Sequence, residues 1–120
     1  MYHVPSMLVG GKWRDAIGGR TLPVINPCTE EVLGETPAAD ERDVAEALGH
    51  ARAALGSWGA VHGWDRAKVL RNIARCMEAR RDELAYALSV EIGRPLSQSA
   101  GEANIAIDQF DWFAGEAERL

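Results

Sequence analysis

The stretch DERDVAEALGHARAALGSW, Asp40 to Trp58, decides how the rest of the chain is read. Asp40 can cap a helix, and Asp43 three residues on makes an imperfect capping box. Val44, Ala47, Leu48, Ala51, Leu55 and Trp58 then recur at helical spacing and give one apolar stripe. Gly56 and Gly59 fray or end that helix. Upstream of Asp40 the pattern is different. Met7 to Val9, Lys12 to Arg14, Leu22 to Ile25 and Val32 to Thr36 are short extended segments, parted by Gly10-Gly11, Gly18-Gly19 and Asn26-Pro27. A residue before proline is pushed out of the helical region, and proline itself cannot donate to a ladder, so Asn26-Pro27 breaks the third segment. Hairpins are therefore expected over residues 1–39 and helices over residues 40–120.

Downstream, a second helix is expected from Trp64-Asp65, with Leu70, Ile73, Ala74 and Met77 on one face. Arg80-Arg81-Asp82 interrupts the stripe. Asp82 can cap a new turn, and Leu84, Ala85, Leu88 and Ile92 resume the pattern until Gly93 and Pro95 stop it. A last helix begins around Ser97 to Ser99, with Ala103, Ala106, Ile107, Phe110, Phe113, Ala114 and Ala117 at spacings of three and four. That pattern runs on to Glu118-Arg119-Leu120 without a stop signal, so a continuation of the chain is expected. The sum is a short β-hairpin region followed by about three α-helices.

Composition excludes several functions. The 120 residues carry 13 basic and 18 acidic side chains, a net charge of −5, which argues against a general affinity for nucleic acid. Arg80-Arg81 reads as a solvated helix face. No run approaches the ~18 apolar residues that span a bilayer. Met1 to Gly11 lacks the form of a secretory signal, and a cytoplasmic location is the expectation. His3, His50 and His62 are not at ligand spacing and no CxxC exists, so a zinc site is not expected.

The residues offer little chemistry of their own. A nucleophilic cysteine needs a base or a cation beside it, and Cys28 has Glu30 and Glu31 instead. Cys76, beside the Ile73–Met77 stripe, reads as a small buried or half-buried hydrophobe. His50 follows Glu46 by four residues, which an exposed helical contact explains. His62, in the glycine connector, has no obvious partner. Gly10-Gly11 and Gly18-Gly19 are not a phosphate-cradling motif. The helical spacing of the tryptophans and of Phe110 and Phe113 reads as packing.

The order of these segments resembles the N-terminal part of the aldehyde dehydrogenase superfamily, from about Leu8 to Ala114. Leu8-Val9-Gly10-Gly11-Lys12-Trp13 is similar to that family's opening I-N-G-x-W segment. Val24-Ile25-Asn26-Pro27-Cys28-Thr29-Glu30-Glu31-Val32-Leu33-Gly34 resembles its V-x-N-P-x-T-x-x-x-I-G segment. Asp43-Val44, Ala51-Arg52-Ala53-Ala54 and Trp58 resemble its next helix, and Arg66, Leu70 and Ala74 the one after. Leu84-Ala85, Glu91-Ile92-Gly93-Arg94-Pro95 and Trp112-Phe113-Ala114-Gly115 complete the series. Gly10, Leu55 and Arg94 stand where the family usually has Asn, Phe and Lys.

The resemblance implies an α/β family fold of which this piece is an incomplete cofactor-binding domain. It implies an NAD(P)-dependent enzyme that oxidises an aldehyde to a carboxylic acid, with a homo-oligomer as the usual assembly. The family's nucleophile, base and pyrophosphate-binding segments come later in sequence, so no catalytic or cofactor-binding residue is carried onto this chain. NAD or NADP is not expected to bind it alone, and its expected partner is the remainder of its own subunit. The resemblance also implies a monovalent cation held by the carbonyls of Val24 and Ile25 and the carboxylate of Glu102, oxygen ligands of the kind hard cations prefer. The other reading of Glu102 is that it favours the positive end of a helix dipole. A stand-alone, non-catalytic helical module that binds a partner through its apolar faces is the alternative to the enzyme reading.

Overall fold

The computed structural model describes residue 2 and residues 4–119; Met1, His3 and Leu120 lie outside the described residues. The elements are β1 (Met7–Val9), β2 (Lys12–Arg14), β3 (Thr21–Ile25), β4 (Val32–Pro37), α1 (Glu41–Gly59), α2 (Gly63–Ala79), α3 (Arg81–Ile92) and α4 (Leu96–Ala117). Contacts divide the chain into two compact units, Met1–Ala60 and Val61–Leu120. The change from strand to helix therefore falls inside the first unit, and α1 belongs with the strands.

Among its described residues the first unit holds two antiparallel hairpins. β1 pairs with β2, with Leu8 opposite Trp13, and β3 pairs with β4, with Leu22 opposite Thr36. A register shift lies between Val24 and Ile25. The turn after Ile25 is built by Asn26. Its side-chain oxygen accepts the Cys28 N–H at 2.9 Å, and its carbonyl accepts the Glu30 N–H at 2.8 Å. An asparagine that bonds the backbone two residues on makes a turn by itself, and Pro27 then presets the next φ. Glu30 takes the left-handed conformation at φ 61°.

In α1 the capping box is complete. The Asp40 carboxylate accepts the Arg42 N–H at 2.8 Å, and the Asp43 carboxylate accepts the Asp40 N–H at 3.0 Å. Yet Asp43 is the one buried residue of the helix. Val44, Leu48, Leu55 and Trp58, the stripe that the periodicity marks as a packing face, are all exposed.

In the second unit α4 packs on both α2 and α3. The buried residues are small: Ala67 and Ala74 from α2, Ala85 from α3, and Ser99, Ala103, Ile107 and Ala114 from α4. Short side chains let helix backbones come close. Gly63 takes this furthest, because a Cβ there would run into the carbonyl oxygen of Ala117. The helical stretch between Trp64 and Ile92 is two helices parted at Arg80, where the stripe is interrupted, so among the described residues four helices follow the strands. The new start is not capped by a side chain: Arg80 occupies the cap position and Asp82 lies in the first turn. Gly93 ends α3 in the left-handed conformation at φ 71°, which a side chain would strain. Ile92, expected on the α3 stripe, is exposed.

Candidate functional site

Three groups of charged residues organise the two units. In the first unit Arg14, at the end of β2, donates through Nη1 to the Asp43 carboxylate at 2.8 Å and through Nη2 to Glu46 at 2.9 Å. Asp43 is only 2% exposed. It also accepts the Ile17 N–H at 3.0 Å. A buried carboxylate without partners would be costly. The Asp40 N–H above all, then the Ile17 N–H and Arg14, hold this one below the usual carboxylate range against the opposing effect of burial. Asp40 itself falls to about 2, chiefly through the Arg42 guanidinium. The expected pair of Glu46 and His50 is present at 3.8 Å on the exposed face. The His50 ring also covers Gly10, where a Cβ would meet Nε2 at 2.6 Å.

In the second unit Arg71 of α2 pairs with Glu118 just after α4, and the Arg71 bond holds the Glu118 carboxyl below its ordinary value. At the other end of α4, Arg94 pairs with Glu102. Arg94 is presented from a fixed backbone, because Ser89 Oγ donates to its carbonyl at 2.7 Å and Gly93 N–H bonds the Ser89 carbonyl at 2.9 Å.

The residues marked for a cation are placed as follows. Val24 is half-buried and Ile25 exposed, either side of the register shift in β3, in the first unit. Glu102 is half-buried in the second unit. It is the seventh residue of α4, nearly two turns from Leu96. Helix-dipole effects fade within the first turn, so the dipole gives little account of Glu102.

Several expectations are corrected. Cys76 is exposed rather than buried. It lies nine residues from fully buried Ala67, and at about 100° per residue that is half a turn away, on the opposite side of α2. His62 is not without a partner: it caps α2, its Nδ1 accepting the Trp64 N–H at 3.3 Å. The packing expected of the aromatic residues is not made within these residues. Trp13, Trp58, Trp64, Trp112 and Phe113 are exposed, while Phe110 is half-buried. Trp112 lies nine residues from buried Ala103 and so faces away from the α4 seam, 70% exposed.

The glycine pairs lie in strand regions. Gly10-Gly11 joins β1 to β2, and Gly18-Gly19 precedes β3. A dinucleotide pyrophosphate is held where a strand turns into a helix N-terminus. These turns do not fit that geometry. Among the described residues no group of three or more His, Cys, Asp or Glu is placed to hold a metal ion, and no helix is long and apolar enough to cross a membrane.

Sequence and fold have relatives. The model of the aldehyde dehydrogenase family matches residues 13–120. The chain is 36% identical to the chloroplastic betaine aldehyde dehydrogenase of Amaranthus hypochondriacus, over 98% of this chain and 25% of that protein. It is 34% identical to the NADP(+) succinate-semialdehyde dehydrogenase of Escherichia coli, over 94% of this chain and 23% of that one. The crystal structure of the NAD-dependent aldehyde dehydrogenase from Sinorhizobium meliloti superposes with a TM-score of 0.95 at 35% identity, covering 100% of this chain and 24% of that one. The chain spans about a quarter of the length of the curated relatives it matches. It belongs to the aldehyde dehydrogenase family.

Proposed function

We propose that this chain is the first part of an NAD(P)-dependent aldehyde dehydrogenase that oxidises an aldehyde to a carboxylic acid, and that its partner is the rest of its own subunit. The observation that carries the reading is the family match over residues 13–120 combined with coverage of only a quarter of each relative. The exposed stripe of α1 supports it, because an amphipathic helix normally buries such a face. On this reading the nucleophile, the base and the nucleotide site belong to the remainder, and the isolated chain neither binds NAD(P) nor turns over. The complete protein is proposed to be cytoplasmic and a homo-oligomer.

The cation reading also passes to the chain as a proposal. The Glu102 carboxylate suits a hard cation in kind, with the carbonyls of Val24 and Ile25 as further oxygens. Arg94 already pairs with that carboxylate, so an added ion has to compete with a guanidinium of the same chain.

A stand-alone interaction module is the second reading, favoured by the exposed Trp112 and Phe113 on α4. The two readings separate on the mass of the native polypeptide, probed with an antibody to this segment. A band several times heavier than 13.1 kDa is the expected result. A band at 13.1 kDa would sink the enzyme reading and leave the module.

A further inference from the structure

We propose that Arg94 is the resident counter-ion of Glu102 and keeps external monovalent cations off that carboxylate. The inference rests on the reading of Glu102 as a cation ligand and specifies how this chain departs from it. As the site stands it does not fit an added ion, because the charge that would attract one is already met inside the chain.

The pairing is built into the fold. Gly93 ends α3 in a left-handed turn, the Ser89 hydroxyl fixes the Arg94 carbonyl at 2.7 Å, and Pro95 leads into α4. This short corner fixes where the Arg94 side chain starts and where Glu102 lies along the following helix. Both side chains are partly exposed, at 38% and 40%, so water and salt reach the pair. A guanidinium is a fork of donors that matches a carboxylate and stays charged at every working pH. A monovalent ion at millimolar concentration has only its charge to set against that local, tethered group. Removing Arg94 leaves that carboxylate without its tethered partner and open to an ion from solution.

The test is the thermal midpoint of the chain in potassium chloride and in tetramethylammonium chloride at equal ionic strength. The wild-type midpoint is expected to be the same in both. Arg94→Ala is expected to have a lower midpoint in tetramethylammonium and to regain about 2–4 °C in potassium, the scale of one partly exposed ion pair in a small domain. Adding Glu102→Gln to Arg94→Ala removes the regain. Arg94→Gln is measured in parallel, because it keeps most of the aliphatic stem and removes the charged end where the alanine variant folds poorly. A wild-type response to potassium that Arg94→Ala leaves unchanged would overturn the role of Arg94 while upholding Glu102 as a cation ligand. No potassium response in any variant would overturn both.

Discussion

Helices α1 and α4 both carry apolar stripes, and the fold buries part of the second and none of the first. In α4 the small residues Ser99, Ala103 and Ala114, with Ile107, are sealed against neighbouring helices. In α1 the large residues Val44, Leu48, Leu55 and Trp58 stay in solvent, and what fixes the helix start is polar: a capping box and the buried Asp43. Burial of apolar area is the main driving force of folding, so the second unit is held by its own interior. The first is held at α1 by hydrogen bonds and ion pairs. Side-chain size alone does not predict which residues are inside; what matters is whether a partner surface is present.

Overpacking the α4 seam tests this difference most severely. Ala114 is completely buried, and Ala114→Leu adds three carbons where helices touch. The expected loss is about 3 kcal/mol, read as a lower denaturant midpoint for the second unit. An unchanged midpoint would mean that the seam is loose and the contrast with α1 is false.

Asp43→Ala strikes the polar half of the comparison. It leaves Arg14 and the N–H groups of Asp40 and Ile17 without their shared acceptor. A clear fall in the melting temperature is expected, well beyond that of Glu46→Gln, whose carboxylate is solvent-exposed. Equal effects of the two substitutions would show that burial of Asp43 adds nothing.

Acid should separate the units. Asp40 and Asp43 at the start of α1 both titrate below the ordinary 3.8, Asp40 at about 2. A carboxyl whose folded value is lowered stabilises the fold fully above its unfolded value. That contribution is lost as the pH falls through the folded value. The window is therefore from about pH 4 down to about pH 2. The α1 amides should lose protection from hydrogen exchange in that window ahead of those of α2, where the lowered carboxyl is that of Asp65, largely exposed beside Lys68 and so a weaker contributor than buried Asp43. Simultaneous loss would break the distinction. Glu118, held below its ordinary value by Arg71, adds a smaller acid-dependent loss at the end of α4.

The smallest effect is expected on the stripe itself. Leu48→Gln with Leu55→Gln should change the stability of the isolated chain by under about 0.5 kcal/mol for each site, because both side chains are exposed. In the complete subunit proposed here, the same pair should lower stability by several kcal/mol. Equal indifference in both proteins would mean that nothing covers α1.

Much of the site was legible early and some was out of reach. The Asn26-Pro27 break, the Asp40 and Asp43 box and the Glu46–His50 pair follow from neighbours a few residues apart. The His62 cap could have been found by asking which residue precedes Gly63 and Trp64, since every helix start leaves N–H groups in need of an acceptor. Arg14 with Asp43 could not, because the partners are 29 residues apart and meet only when β2 lies against the start of α1.

The sequence by itself determined the order of strands and helices, their breaks and the family, since periodicity, caps and turn residues act over short range. Tertiary structure decided which stripes are covered. Leu55 and Ile107 look alike as letters, yet Leu55 is 71% exposed and Ile107 is buried. It also decided that Glu102 faces Arg94. Burial and ion pairing depend on where distant segments come to rest, and that placement is a property of the whole packed chain.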